Sequence, residues 1–166
     1  MRRIRLATPA DIPALPGIEQ SAGEAFRATA HAWVADEPNL AAEAYPPLIA
    51  AGRVWVAETD GGLAGFLHAW PAADGDFHIW ELAVRLPWQR RGFGRALIDT
   101  ARRQALAQGC TALTLTTFRD VAFNAPYYKG LGFAILTDPP PRLAAILAAE
   151  AARGLTSRCA MRAALS

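Results

Sequence analysis

Glu81-Leu82-Ala83-Val84-Arg85-Leu86-Pro87-Trp88-Gln89-Arg90-Arg91-Gly92-Phe93-Gly94-Arg95-Ala96 is the stretch that decides the fold. Its first residues end an apolar run that begins at Phe77. A short loop containing a proline follows, and then two glycines lead into Phe93, Leu97, Ala101 and Ala105, which share one face of a helix over 91–108. A strand that passes through a loop into a helix leaves backbone N–H groups without intrahelical partners, at the positive end of the helix dipole. Glycines let a phosphate come close to that backbone, so the junction reads as an anion cradle. It is not a dinucleotide loop, because Leu97 stands where a third glycine is required, and the Lys-Ser pair of a nucleotide P-loop is missing.

The charge distribution agrees. From Arg85 to Arg103 there are six arginines and a single acid, Asp99, whereas Val54 to Val84 holds five acids and no base. Arg95, Asp99 and Arg103 at i, i+4 spacing also suit a solvated helix face, a reading that covers about half the cluster. Over all 166 residues the net charge is only +2, too small to argue for nucleic acid. With 52% apolar and 19% charged residues the chain reads as a single domain over 1–166. The longest stretch without Asp, Glu, Lys or Arg, Gln104 to Phe118, falls short of the roughly 18 residues of a membrane span. Met1-Arg2-Arg3-Ile4-Arg5-Leu6 lacks the apolar block of a secretory signal, so a cytoplasmic location is expected, without membrane contact. Cys110 and Cys159 are too few and too far apart for a disulfide framework or a metal site and read as small buried hydrophobes.

Working outward, Ile4–Ala7 is a short strand, and Asp11 caps a helix through Phe26 that Pro13 and Pro16 make irregular early on. Residues 27–52 hold one or two short helices among prolines. Val54–Ala57 and Leu63–Trp70 around Asp60-Gly61-Gly62 form a hairpin, and after a turn over 71–76 the strand Phe77–Val84 completes a meander. Beyond the helix, Thr111–Thr117 is a strand, Asn124 caps a short helix through Lys129, and Phe133–Leu136 is another strand. A helix opens at Pro141, and Arg158–Ala164 is the last strand. The sum is a mixed α/β fold with helices on both faces of a sheet.

Two ordered segments resemble the GNAT superfamily of N-acetyltransferases. Gln89-Arg90-Arg91-Gly92-Phe93-Gly94 is similar to the family's Gln/Arg-x-x-Gly-x-Gly/Ala signature after the fourth strand, and Tyr128-Lys129-Gly130-Leu131-Gly132-Phe133 looks like its Tyr-x-x-x-Gly-Phe segment. The resemblance covers nearly the whole chain and implies a mostly antiparallel central sheet of about six to seven strands. It implies acetyl-CoA as cosubstrate; no His or Cys cluster has metal-ligand spacing, so no metal is expected. The pyrophosphate would lie on the backbone of Arg90 to Arg95, with Gln89, Arg90, Arg91, Gly92, Phe93, Gly94 and Arg95 as the binding loop. Main-chain groups of Leu82, Ala83 and Val84 would run beside the pantetheine arm, and the Val84 N–H would polarise the thioester carbonyl.

Tyr128 is then the acid that protonates the departing thiolate, with a packing role as the alternative. Its neighbour Tyr127 is the competing phenol and a coenzyme contact. Asn124 is a further coenzyme contact or simply a helix cap, since the family's asparagine lies seven residues before the tyrosine, where this chain has Val121. Glu81 is either the base that deprotonates the acceptor ammonium or a carboxylate that binds its charge, and Arg85 is a possible partner for it. His31, His68 and His78 read as structural histidines, with His78 on the strand face opposite Glu81. Phe26, His31, Trp33, Trp70 and Phe123 are either core or an aromatic acceptor pocket, and Asp36, Glu37 and Glu43 suit a cationic acceptor. The first expectation is N-acetylation of a primary amine of a small molecule by direct attack. The alternatives are acetylation of a protein or peptide, or an acyl-CoA sensor without turnover. A homodimer is expected by analogy alone.

Overall fold

Residues 2–166 are described by the computed structural model. Strand β1 (Arg2–Leu6) leads into a 3₁₀ turn over Pro9–Ala14, helix α1 (Leu15–Gly23) and another 3₁₀ turn over Glu24–Ala28, in place of the one helix expected from Asp11. Pro16 lies in the first turn of α1, where a missing N–H costs nothing, so the helix starts afresh there. Asp11 is not the N-cap. Thr8 is, and the Asp11 carboxylate accepts the Thr8 N–H at 2.8 Å, as the third residue of a capping box does. The Arg5 guanidinium donates to both Asp11 oxygens, at 2.8 and 3.0 Å, and holds that carboxyl below the usual carboxylate range.

The proline-rich segment forms 3₁₀ turns over Ala32–Asp36 and Ala42–Ala44, then helix α2 (Tyr45–Ala50). Strands β2 (Val54–Thr59) and β3 (Gly62–Pro71) form the expected hairpin, with Val54 opposite His68, Val56 opposite Phe66 and a bulge at Ala57/Glu58. Strand β4 (Phe77–Val84) has the expected bounds. Helix α3 (Phe93–Ala107) begins two residues later than its periodicity suggested and ends before Gly109, whose φ is 74°. Strand β5 (Ala112–Phe118), helix α4 (Ala125–Gly130), strand β6 (Ala134–Ile135), helix α5 (Pro141–Ala152) and strand β7 (Arg158–Ala164) follow. The seven strands are ordered β1-β2-β3-β4-β5-β7-β6, mostly antiparallel, with β4 and β5 parallel through Phe77–Leu113 and His78–Thr114. Among the described residues no helix is long and apolar enough to cross a membrane.

The chain comprises two compact units, Met1–Ala69 with Glu81–Ala101, and Trp70–Trp80 with Arg102–Ser166. In the first, Leu15, Ile18 and Tyr45 pack with Val54, Val56, Phe66 and Ala83. Alternation puts Trp55 and Leu67 on the other face of the hairpin, and they too are buried. A Cβ on Gly65 would stand 2.6 Å from the Ala83 carbonyl oxygen and 3.3 Å from Val84 Cα, so only glycine lets β3 approach β4 so closely here. In the second unit, buried Glu150 accepts from Arg158 at 2.9 Å and from the Thr116 hydroxyl at 3.0 Å. Buried Asp76 likewise accepts from Arg162 at 3.1 Å and from the Thr111 hydroxyl at 3.0 Å. Cys110 and Cys159 are buried free thiols, as expected.

His78 is held as a structural histidine in the second unit. Its Nδ1 accepts from Arg142 at 3.1 Å and lies 2.8 Å from the Thr114 hydroxyl. Arginine only donates, so Nδ1 carries no proton and the ring is neutral. Burial and the Arg142 charge push His78 down to about 3, and burial pushes His68, in the first unit, down to about 4. Both values lie below that of an unfolded histidine, so the stabilisation is complete above pH ~6.5 and is lost as the pH falls toward the folded values. Each ring should cost ~1.4 kcal/mol per pH unit below ~6.5. Unfolding free energies measured by denaturant from pH 7 to 5 are expected to fall with a slope that approaches two protons below pH ~6, and His78→Asn to halve it. A midpoint independent of pH would contradict both assignments.

Candidate active site

The loop from Arg85 to Gly92 belongs to the first unit. Leu86–Trp88 form a 3₁₀ turn, and the Gln89 side-chain amide donates to the Val84 carbonyl at 3.0 Å, tying the loop to the end of β4. Arg90 has φ 60° and Gly92 φ 85°, two left-handed residues that swing the backbone into α3. The Ala96 N–H reaches the Gly92 carbonyl at 3.1 Å, so the N–H groups of Phe93, Gly94 and Arg95 precede the first rung of the helix. A Cβ on Gly92 would stand 2.8 Å from an Arg2 guanidinium nitrogen. Arg2 itself donates to the Arg91 carbonyl at 3.1 Å and lies over the Phe93 ring, while Arg91 lies over Trp88. Exposed Arg90, Arg91 and Arg95 surround the turn. These residues fit a pyrophosphate: oriented N–H groups, a helix N-terminus and nearby cations.

Two arginines of the cluster are spent on the chain's own carbonyls. Arg85 donates to the carbonyls of Leu63, at 3.1 Å, and Gly17, at 3.5 Å, rather than pairing with Glu81. In the second unit Arg102 donates to the Leu131 carbonyl and covers the Phe133 ring. The Arg85 N–H bonds the Ala64 carbonyl on β3 at 2.8 Å. Strand N–H groups alternate in direction, so those of Val84 and Leu82 point to the other edge of β4. Glu81 is half-buried and shares its strand face with Ala83, hence with Tyr45 and α1.

Tyr128 belongs to the second unit and is half-buried on α4. Its ring meets Phe133 edge-on at 5.7 Å and Tyr127 at 5.3 Å. Its backbone is equally constrained: the N–H bonds the Asn124 carbonyl at 3.0 Å, and the carbonyl accepts from Leu131 and Phe133. The Tyr-x-x-x-Gly-Phe pattern is therefore a physical turn that pins the tyrosine. Asn124 holds the N-cap position, but its side chain makes no capping bond, contrary to the cap reading. Val121, where the family's asparagine would stand, is buried.

The other sequence candidates are distributed over both units. Phe26, His31 and Trp33 fall in the first, Trp70 and Phe123 in the second, where Trp70 stacks on Trp80 at 5.4 Å. Of the three acids expected to attract a cationic acceptor, Asp36 accepts from Arg27 at 3.0 Å. Two residues outside any motif gain importance instead. Tyr45 is fully buried, yet among the described residues its hydroxyl has no hydrogen-bond partner. Such an orphan costs ~1–3 kcal/mol. Burial raises the phenol above the usual tyrosine value, and the charges of Glu19 and Glu81 push the same way. Glu19 on α1 is itself raised by burial. α1 and β4 each hold a single acid, Glu19 and Glu81, so the sequence carried no signal for this.

The acetyltransferase (GNAT) family model matches residues 18–133. Two Mus musculus proteins, N-acetyltransferase family 8 members 3 and 7, are each 31% identical over 84 residues, 48% of this chain. That match takes in 37% of their length, so the chain aligns with little more than a third of these curated relatives. Among solved structures, PaiA N-acetyltransferase from Thermoplasma acidophilum in complex with coenzyme A is similar, with TM-score 0.78, 15% identity and 99% of both chains covered. The ribosomal-protein-S18-alanine N-acetyltransferase from Escherichia coli gives TM-score 0.68 at 22% identity, covering 100% of this chain and 95% of the other.

Proposed function

The chain belongs to the acetyltransferase (GNAT) family, and from that premise we propose that it moves an acetyl group from acetyl-CoA to a primary amine of a small molecule by direct attack. The observation that carries this reading is the turn at Arg90 and Gly92, with its left-handed residues and the leading N–H groups of α3, inside the matched span. Acetyl-CoA supplies an activated thioester. Phe93, Gly94 and Arg95 N–H groups hold its pyrophosphate, with Arg90 and Arg91 contributing charge. The Val84 N–H stabilises negative charge growing on the acyl oxygen.

An alkylammonium has a pKa of about 10, so it must lose a proton before its nitrogen can attack. Glu81 takes that proton, directly or through water. The nitrogen forms a bond to the acyl carbon, the carbon–sulfur bond breaks, Tyr128 gives its phenolic proton to the departing sulfur, and the second proton that the nitrogen sheds on becoming an amide restores the phenol through solvent. Leu82 main-chain groups, Gln89, Asn124 and Tyr127 complete the proposed coenzyme contacts, whereas the Ala83 main chain turns toward β3 and is withdrawn from them.

The primary test is release of free coenzyme A across amines, amino acids, aminoglycosides and short peptides. Release only with peptides would replace the small-molecule reading by peptide acetylation, and none with any class would favour a sensor. Glu81→Gln separates the two roles of the carboxylate. A base should lose about tenfold or more at pH 7 and recover toward pH 10, where the amine is already deprotonated. A loss uniform across that range would mean charge binding alone.

A further inference from the structure

Arg90 holds φ 60° without being a glycine. A residue in that conformation costs ~1–3 kcal/mol and persists only where its surroundings fix it. Here the fixing comes from both flanks. Before Arg90, the Gln89 side-chain amide is tied to the Val84 carbonyl at 3.0 Å. After it, the Arg91 carbonyl accepts from Arg2 Nη1 at 3.1 Å, an anchor that arrives from β1 at the edge of the sheet, 89 residues away in sequence. The same guanidinium meets the turn at two further points. Its Cζ lies 5.6 Å from the centre of the Phe93 ring, and its Nη1 fills the space against Gly92, where a Cβ would come within 2.8 Å of it. Arg2 is exposed and borders a cavity of about 400 Å³ with Thr59, Asp60, Gly61, Trp88 and Phe93. Its side chain therefore has room to leave, and contacts rather than crowding hold it on the turn.

We infer that Arg2 is a positioning residue for the coenzyme: its guanidinium clamps Arg91, Gly92 and Phe93, so that the N–H groups ahead of α3 are set for a pyrophosphate before one arrives. The inference rests on the reading of this turn as the pyrophosphate site and adds to it a residue from another strand, outside the loop signature. A turn ordered in advance spares the ordering cost that a loose loop meets on binding. Arg2 acts through the turn and not on the phosphate, because its donor is spent on a carbonyl and its plane on a ring.

In calorimetric titration, Arg2→Ala should raise the dissociation constant of coenzyme A about tenfold, by the same factor in about 50 mM and in about 500 mM NaCl. A guanidinium that merely attracts the anion is screened by salt, so a loss confined to the lower concentration would overturn the clamp. Unchanged affinity would overturn it too. A second readout needs no coenzyme. The Ala96 N–H closes the first rung of α3 on the Gly92 carbonyl, so its hydrogen exchange in the unliganded protein reports whether the turn stays in place. Arg2→Ala should speed that exchange about tenfold and leave the rate at Ala101, in the middle of α3, as it is. Equal acceleration at Ala101 would mean a general loosening and refute a local role. If wild type does not bind coenzyme A, the pyrophosphate reading is what fails, and exchange at Ala96 then judges the clamp alone: acceleration in Arg2→Ala sustains it, and an unchanged rate refutes it.

Discussion

Tyr128→Phe is expected to lower kcat by about 10²- to 10³-fold while the dissociation constant of acetyl-CoA changes little. The substitution removes one proton-bearing oxygen and leaves the ring. The edge-on contacts with Phe133 and Tyr127 remain available to phenylalanine, as do the backbone bonds to Asn124, Leu131 and Phe133. Folding and coenzyme affinity should therefore survive, and the loss should fall on the step in which sulfur takes a proton. Tyr127→Phe, beside it on α4, is the matched control and should cost far less. Single-turnover rates and coenzyme titrations of both variants decide the matter: an unaltered rate in Tyr128→Phe removes it as the acid, and a collapse in Tyr127→Phe transfers the role.

Gly94→Asp should weaken acetyl-CoA binding on the order of 10- to 100-fold, because a carboxylate is placed among N–H groups meant for a phosphate. The helix itself gives no reason to unfold. An acidic side chain in a first turn complements the helix dipole, so the melting temperature should hold while affinity is lost. That combination separates an electrostatic effect from damage to the fold. Affinity equal to wild type would dismiss the turn at Gly92 as the pyrophosphate site.

The loop and α3 were legible in the sequence because everything that defines them is local: a strand end, two glycines and an apolar stripe whose Phe93, Leu97, Ala101 and Ala105 are all buried. Strands β4 and β7 and the β2–β3 hairpin were legible for the same reason. Asp11 misled because aspartate is favoured both at an N-cap and as the acidic partner three residues on, and its pairing with Arg5 is a tertiary fact. The interval 27–52 was read only coarsely because prolines permit either loops or 3₁₀ turns. The six arginines looked alike in sequence, whereas folding assigns Arg85 and Arg102 to backbone carbonyls. Tyr45 and Glu19 stayed hidden for a deeper reason. Both groups are pushed up by burial, a tertiary effect that no spacing along the chain encodes.

Gly65 carries no group that could bind, polarise or donate, yet its bare Cα fixes the distance between β3 and the Ala83–Val84 backbone. Phe66 and His68, just beyond it, face Tyr45 in the interior of the first unit. A library that diversifies this strand must leave position 65 constant, because a side chain there would shift the Ala83–Val84 backbone, the edge proposed to align the acyl group. Gly65 is in that sense the datum of the machine, the reference edge from which its other tolerances are measured.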